Sequence, residues 1–180
     1  GMTALMWACV DNKATDFFGL PLSENCFRGH LHVVRTLLSS GADTRKRNIV
    51  GNTALILSCE HARNEIAEMI LTVDINVNVN NNNGVTALMS ACSTGLIKVV
   101  QLLLAANSKV NASDKDGWTP LMYASITGRT EIVRMLLEAG ANKDAKENKY
   151  GATALMLAAA DGHNDIAILI ENSRKRSFWW

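Results

Sequence analysis

With 180 residues, 48% of them hydrophobic, the chain is long enough to bury a core. Its 18 Lys and Arg against 17 Asp and Glu leave a formal charge of +1, which excludes a general electrostatic pull toward nucleic acid, anionic membranes or acidic substrates. No run of about 18 apolar residues marks a membrane span and no signal-peptide pattern opens the chain, so the expected setting is cytoplasmic, with the nucleus left open.

Taken in chain order, the elements come as one repeated unit. The first segment, residues 1–47, opens on Gly1-Met2-Thr3-Ala4-Leu5. The phrase returns as Gly51-Asn52-Thr53-Ala54-Leu55, Gly84-Val85-Thr86-Ala87-Leu88, Gly117-Trp118-Thr119-Pro120-Leu121 and Gly151-Ala152-Thr153-Ala154-Leu155, the last four spaced by 33, 33 and 34 residues. Eleven residues after the repeat glycine stand Gly95, Gly128 and Gly162, with Ala62 in the second copy, and an apolar run with helical spacing follows each. Each unit thus reads as a turn, a short helix, a glycine break, a second helix and an extended segment. Thr53, Thr86, Thr119 and Thr153 sit where a helix begins and can accept from first-turn N–H groups, and Pro120 fits just inside one such start. The glycines suit left-handed helix ends, as do Gly41 and Gly140, with Asp74 and Asn107 replacing the latter type in two copies.

The first copy carries 17 extra residues, Asn12–Arg28, between its two helices, and they hold Phe17, Phe18 and Phe27. This apolar insertion either covers the N-terminal face of the stack or serves as a docking loop, and the cap reading is preferred because terminal repeats need covering. Where the second unit meets the third, the Asn-rich stretch from Asp74 to Asn83 reads as a solvated hairpin rather than a binding element. Asn111-Ala112-Ser113 formally matches a glycosylation acceptor, silent in a cytosolic setting. In the fifth unit Glu171 replaces the leucine of earlier copies, Leu71, Leu104 and Leu137, which are expected to be buried; this marks the fifth copy as a C-terminal cap with Glu171 exposed. Residues 173–180 form a basic-aromatic tail, Arg174-Lys175-Arg176 beside Phe178-Trp179-Trp180, compatible with an import signal, a membrane-surface contact or the start of a further segment. The abrupt start at a repeat glycine points to a fragment of a longer protein.

These phrases resemble the ankyrin repeat, whose unit is about 33 residues and whose usual wording is Gly-x-Thr-Pro-Leu-His followed by Ala-Ala and Gly-His. Asp116 through Ser125 is the nearest copy. The resemblance implies an all-α ankyrin-repeat solenoid of stacked helix-turn-helix units with β-hairpin-like fingers. It covers residues 1–172 as a single domain, with repeats at about 1–47, 48–80, 81–113, 114–146 and 147–172. The family histidine is replaced by Met6, Ile56, Met89, Met122 and Met156, a stripe read as adaptable core.

No chemistry-bearing constellation emerges. Cys9, Cys59 and Cys92 hold one register position and are expected as small buried fillers, because stacked helices lie about 8–10 Å apart, too far for equivalent cysteines to bond. Cys26 in the insertion is the exposed candidate. His30 and His32 point to different sides of a helix, and His61 and His163 lie in distant repeats, so no metal spacing results. With no phosphate loop or nucleophile motif in view, neither an enzyme, a cofactor nor a small-molecule substrate is expected. The resemblance instead implies a protein partner, touched by finger tips and first-helix ends. Carried onto this chain, the positions are Asn52, Asn83, Val85, Lys115, Asp116, Trp118 and Tyr150 in the fingers, with His61, Thr94, Ile126, Thr127 and Asp161 at the helix ends. Trp118 and Tyr150 hold corresponding finger places to within one residue of register, where they act either as aromatic anchors or as finger-to-finger packing. The alternatives are a scaffold or spacer within a larger protein, and nucleic-acid binding through the basic clusters at the two ends. The latter is disfavoured because the middle of the stack is almost uncharged.

Overall fold

A computed structural model describes residues 43–73 and 76–176, together with Leu31, Val34, Arg35, Leu38, Ser39 and Gly41. The readings made above for the first phrase, Met6, Cys9, the insertion with Cys26, His30, His32, Asp74 and the aromatic end of the tail lie outside these residues.

Among the described residues, eight helices have defined bounds, in chain order α1 (Ala54–Glu60), α2 (Asn64–Leu71), α3 (Ala87–Thr94), α4 (Ile97–Ala105), α5 (Pro120–Ile126), α6 (Thr130–Glu138), α7 (Ala154–Ala160) and α8 (Asn164–Arg176). They form four antiparallel pairs stacked so that α1, α3, α5 and α7 make one row and α2, α4, α6 and α8 the other. No strand is present among the described residues; the only ladder element there is an isolated bridge between Asn80 and Thr86, so the fingers are tight turns. Helix α8 continues to Arg176, four residues into the segment read as tail.

The first-row helices start as their threonines require. Thr53, Thr86, Thr119 and Thr153 are extended, and each side-chain oxygen accepts from the N–H three residues on, which answers one of the donors a helix start leaves open. The Met stripe has a second use. The Thr86 and Thr119 N–H groups donate to the sulfurs of Met89 and Met122, at 3.4 and 3.5 Å, closing a reciprocal box with a thioether as acceptor. Ile56, Met89 and Met122 are fully buried between repeats. Met156 is not, and this corrects the core reading for the fifth copy: with no described helix pair stacked beyond α7 and α8, its side chain is 57% exposed.

The core runs unbroken between the rows. Ile66, Val99, Ile132 and Ile166 form one register column, and Ile70, Leu103, Leu136 and Ile170 a second, all at 2% exposure or less. Leu71, Leu104 and Leu137, expected to be buried, are only half-buried, because each lies one residue further round its helix, at the margin of the core. Glu171 occupies the equivalent place and is exposed, as expected. Cys59 and Cys92 are fully buried small side chains, and burial, then the neighbouring Cys59, pushes the Cys92 thiol up.

Candidate functional site

The fingers are built from one device repeated at the stack's own spacing. Asn48, Asn81 and Asp114 each turn a side-chain oxygen back to accept the N–H groups two and four residues on, the pattern of an Asx turn. The fourth finger has one residue more, and Glu147 stands at its base. The longer side chain spans the longer loop, accepting from the N–H groups of Lys149, Tyr150 and Ala152 at 2.7, 2.6 and 3.0 Å. These donors hold the Glu147 carboxyl below the usual carboxylate range. Each finger also binds the one before it. The N–H of Asn82 donates to the Val50 carbonyl, that of Lys115 to Asn83, and that of Asn148 to Asp116, at 3.0, 2.9 and 2.8 Å. The close approach explains two glycines: a Cβ on Gly51 or Gly117 would lie 2.4 or 2.7 Å from the amide of Asn82 or Asn148.

This register places Tyr150 differently from the sequence reading. With Glu147 aligned to Asp114 and Gly151 to Gly117, the residue equivalent to Trp118 is Ala152, and Tyr150 is the additional residue of the longer turn. A methyl thus stands where the preceding finger has an indole, with an exposed phenol lifted beside it. The result is an open groove of about 700 Å³ whose walls are Trp118, Ile126, Ala152, Leu157 and Tyr150, with Asp116, Glu147, Asn148 and Lys149 at its polar side. Tyr150 is 79% exposed and the Lys149 ammonium lies 4.7 Å from its ring centroid.

Trp118 is half-buried against the core, its ring 5.4 Å from that of Tyr123 and tilted by 48°. Tyr123 donates its hydroxyl to Asp114 Oδ2 at 2.7 Å, tying the aromatic pair to the base of its finger. Burial, then the hydrogen bond and charge of Asp114, push the Tyr123 phenol well above its ordinary range, so it stays a neutral donor. On the far side of this pair lies a smaller hollow of about 220 Å³, lined by Glu60, Val85, Met89, Ser90, Ser93, Thr94 and Tyr123.

Of the twelve positions carried over, Trp118, Tyr150, Asp116 and Ile126 meet in the large groove, and Val85 and Thr94 in the small one. Asn83 and Lys115 are exposed at finger tips, and His61 and Asp161 are exposed at helix ends. Thr127 is half-buried and its hydroxyl donates to the Tyr123 carbonyl, closing the end of α5. Thr94 likewise donates to Ser90 of its own helix and to Cys59 in the repeat before. Asn52 corrects the expectation of an outward-facing residue. It is 5% exposed, its amide donates to Glu60 and its oxygen accepts from Asn81, so both ends are occupied within the stack. The Asn-rich run is likewise not an idle solvated turn: Asn78 clamps the Asn107 carbonyl and the Lys109 N–H, and Asn82 donates to Ile49. Tyr123, Glu147 and Leu157 were missed in the sequence, although Glu147 stands in register with Asn48, Asn81 and Asp114.

Comparison with known proteins fits this construction. A family model for ankyrin repeats matches residues 22–114 and 106–176. A probable E3 ubiquitin-protein ligase, XBOS33, of Oryza sativa subsp. japonica is 40% identical over 67 residues, 36% of this chain and 13% of that protein. The E3 ubiquitin-protein ligase XBAT33 of Arabidopsis thaliana is 37% identical over a stretch of the same length and coverage. The chain therefore spans only a small part of either relative's length.

Proposed function

The chain belongs to the ankyrin-repeat family, whose repeats are generally protein–protein interaction modules, and on that premise we propose that it binds a protein partner on its finger-bearing side, centred on the groove between Trp118 and Tyr150. The observation that carries this is the placement of Tyr150. A phenol with four-fifths of its surface in solvent stands beside an apolar floor, on a loop whose backbone N–H groups of Lys149, Tyr150 and Ala152 are fixed by Glu147, so the ring is presented from an ordered backbone. Trp118 forms the opposite wall but also packs on the core, so its replacement tests binding and stability together. Tyr150 is the cleaner probe. The same proposal sets the interaction in the cytoplasm or nucleus. The likeness to part of two ubiquitin ligases supports the further proposal that the partner is a protein selected for modification.

The test is selection of ligands from a displayed peptide library on the intact chain, followed by affinity measurements. Tyr150→Ala should weaken the selected ligands by about tenfold or more, in line with hot-spot losses of about 2 kcal/mol, while Asn82→Ala leaves them nearly unchanged. If Tyr150→Ala and Trp118→Ala both bind as the parent does, and deletion of residues 12–28 abolishes binding, the insertion is the docking element and this proposal fails.

A further inference from the structure

The small hollow beside the Trp118–Tyr123 pair has its cause in the repeat register. Leu57, Ser90, Tyr123 and Leu157 stand at one position relative to the repeat glycines Gly51, Gly84, Gly117 and Gly151, and form a column along the first-row helices. Ser90 is the small member of that column, and the hollow of about 220 Å³ opens over it. Its polar groups are not satisfied from within. Ser90 is 8% exposed, yet its hydroxyl makes no hydrogen bond among the described residues. A buried polar group without a partner costs free energy that a ligand's group can recover. At the rim, Glu60 Oε2 accepts from the Asn52 amide, while no donor among the described residues reaches Oε1. Thr94 already donates to the Cys59 and Ser90 carbonyls.

Glu60 is also the one charged residue in α1, α3, α5 and α7, and the adjoining finger residues, 81–85, carry no charge. Asp114 stands behind Tyr123, whose hydroxyl it accepts. The cations of the neighbouring elements are placed elsewhere: Arg47 donates to the Gly51 and Asn80 carbonyls, Arg129 lies beside Gly95, Lys115 is exposed on the third finger, and none of them lines the hollow.

We propose that this hollow is a second subsite of the finger-bearing side and takes one lysine side chain of the partner. The methylene stem lies along Val85, Met89 and Tyr123, and the ammonium donates to Ser90 Oγ and Glu60 Oε1. Lysine fits better than arginine, because Asn52 leaves Glu60 one open oxygen and not the pair that a guanidinium fork engages. The volume lies below the about 300–1,000 Å³ of small-molecule sites, so a single side chain suits it. The subsite extends the reading given above and rests on it only for the geometry of a ligand that fills both places. The hollow centres on the third repeat and the large groove between the fourth and fifth, about 12–15 Å apart when stacked helices are spaced by about 8–10 Å. An extended chain covers about 13 Å in four residues and turns its first and fifth side chains to the same face.

The experiment titrates the intact, ¹⁵N-labelled chain with Lys-Thr-Thr-Thr-Phe, with Phe-Thr-Thr-Thr-Lys, and with the same two peptides carrying norleucine, which keeps the apolar stem and lacks the ammonium. The lysine peptide of the fitting direction should shift the amides of Ser90, Ser93 and Thr94 together with those of Tyr150 and Ala152. It should bind about tenfold tighter than its norleucine twin, the gap narrowing as salt rises. Ser90→Leu, which restores the side chain of Leu57 and Leu157, should erase the shifts in the hollow and bring the lysine peptide to the norleucine level, with the Tyr150 shifts and the helical circular dichroism kept. Glu60→Gln, at an exposed helix end, should lower the lysine peptide's affinity by about threefold to fivefold, and it decides the matter if Ser90→Leu does not fold. Equal binding of the lysine and norleucine peptides, or a Glu60→Gln chain that binds the lysine peptide as the parent does, overturns the lysine subsite, while shifts at Tyr150 and Ala152 leave the groove proposal standing. Lysine-dependent shifts at Ser90 with none at Tyr150 support the subsite and count against the groove. No shift at either place with any of the four peptides overturns the subsite.

Discussion

Replacing Ala62 by Gly should stabilise the chain, and the size of the gain follows from the helix end it closes. At the end of α1, the Ala62 N–H reaches the Cys59 carbonyl at 3.2 Å and the Arg63 N–H reaches Ser58 at 2.8 Å, a Schellman end that requires a left-handed residue between them. Ala62 supplies it at φ +54, where the other copies have Gly95, Gly128 and Gly162 at +85, +70 and +80. The left-handed conformation costs an L-residue about 1–2 kcal/mol, while glycine returns about 0.4–1 kcal/mol of entropy to the unfolded chain. The net gain is about 0.5–1 kcal/mol, or roughly 1–4 °C in melting temperature for a domain of this size. The reverse change discriminates the cause. A Cβ on Gly162 meets nothing within 4 Å, so Gly162→Ala should lose only the backbone term, about 0.5–1.5 kcal/mol. On Gly128 the same atom lies 2.6 Å from the ring of His163, which is itself engaged with the Ile126 carbonyl at 3.2 Å. Gly128→Ala should therefore cost about 1–3 kcal/mol more, as overpacking does. Urea titrations followed by far-UV circular dichroism give the order. If Ala62→Gly lowers the midpoint, or Gly128→Ala and Gly162→Ala coincide, the reasoning from strain and contact is wrong.

Ser125 is fully buried in the column of Cys59 and Cys92, and its hydroxyl has no partner; Ser125→Ala removes a desolvated polar group and should raise the urea midpoint or leave it unchanged, contrary to the usual core truncation. Leu136→Ala should cost about 2–5 kcal/mol by transfer and cavity terms, with half-buried Leu137→Ala nearer the low end and Glu171→Ala within about 0.5 kcal/mol, all read from the same titrations. The carboxyl of Glu147 is held below its ordinary value by backbone donors, so its contribution to the fourth finger is present in full above the unfolded carboxyl range. It is lost as pH falls below about 4.3 and through the lower folded value. Tyr150-dependent ligands should then dissociate in that window while the helices persist, and Glu147→Ala should bind them poorly at neutral pH too.

The stack was legible because its signals are local and repeated. Threonine caps, left-handed glycines and the 3.6-residue periodicity of each second helix act within a few residues, and recurrence at one spacing multiplies their weight. The groove was not legible, because it depends on alignment between neighbours. One residue more in the fourth finger shifts Tyr150 out of the place of Trp118, and only the shared role of Asn48, Asn81, Asp114 and Glu147 reveals where the addition falls. Asn52 misled for a related reason. A small polar residue near a finger tip reads as surface, yet the next finger's Asn81 and its own helix's Glu60 enclose it. Met156 shows the reverse error, since its burial in the equivalent positions comes from the following repeat and not from its own sequence.

The same alignment explains how a finger can change without disturbing the stack. All four finger bases close on the same backbone bond, Asn48 to Asn52, Asn81 to Val85, Asp114 to Trp118 and Glu147 to Ala152, and each is followed by a capping threonine at the start of a first-row helix. The added residue is absorbed above that closure because glutamate carries its carboxylate one methylene further than aspartate, keeping the turn donors satisfied around a longer loop. Core contacts below the threonines are then indifferent to what the tip displays. Exchanging an indole for a methyl at Ala152 opens space without creating a core cavity, since the vacated volume faces solvent between fingers. Tyr150 is free to project over it. What the finger tip displays is thus separated from the interactions that keep the helices stacked, so on the proposed function altering Tyr150 should change affinity while leaving the unfolding midpoint where it was.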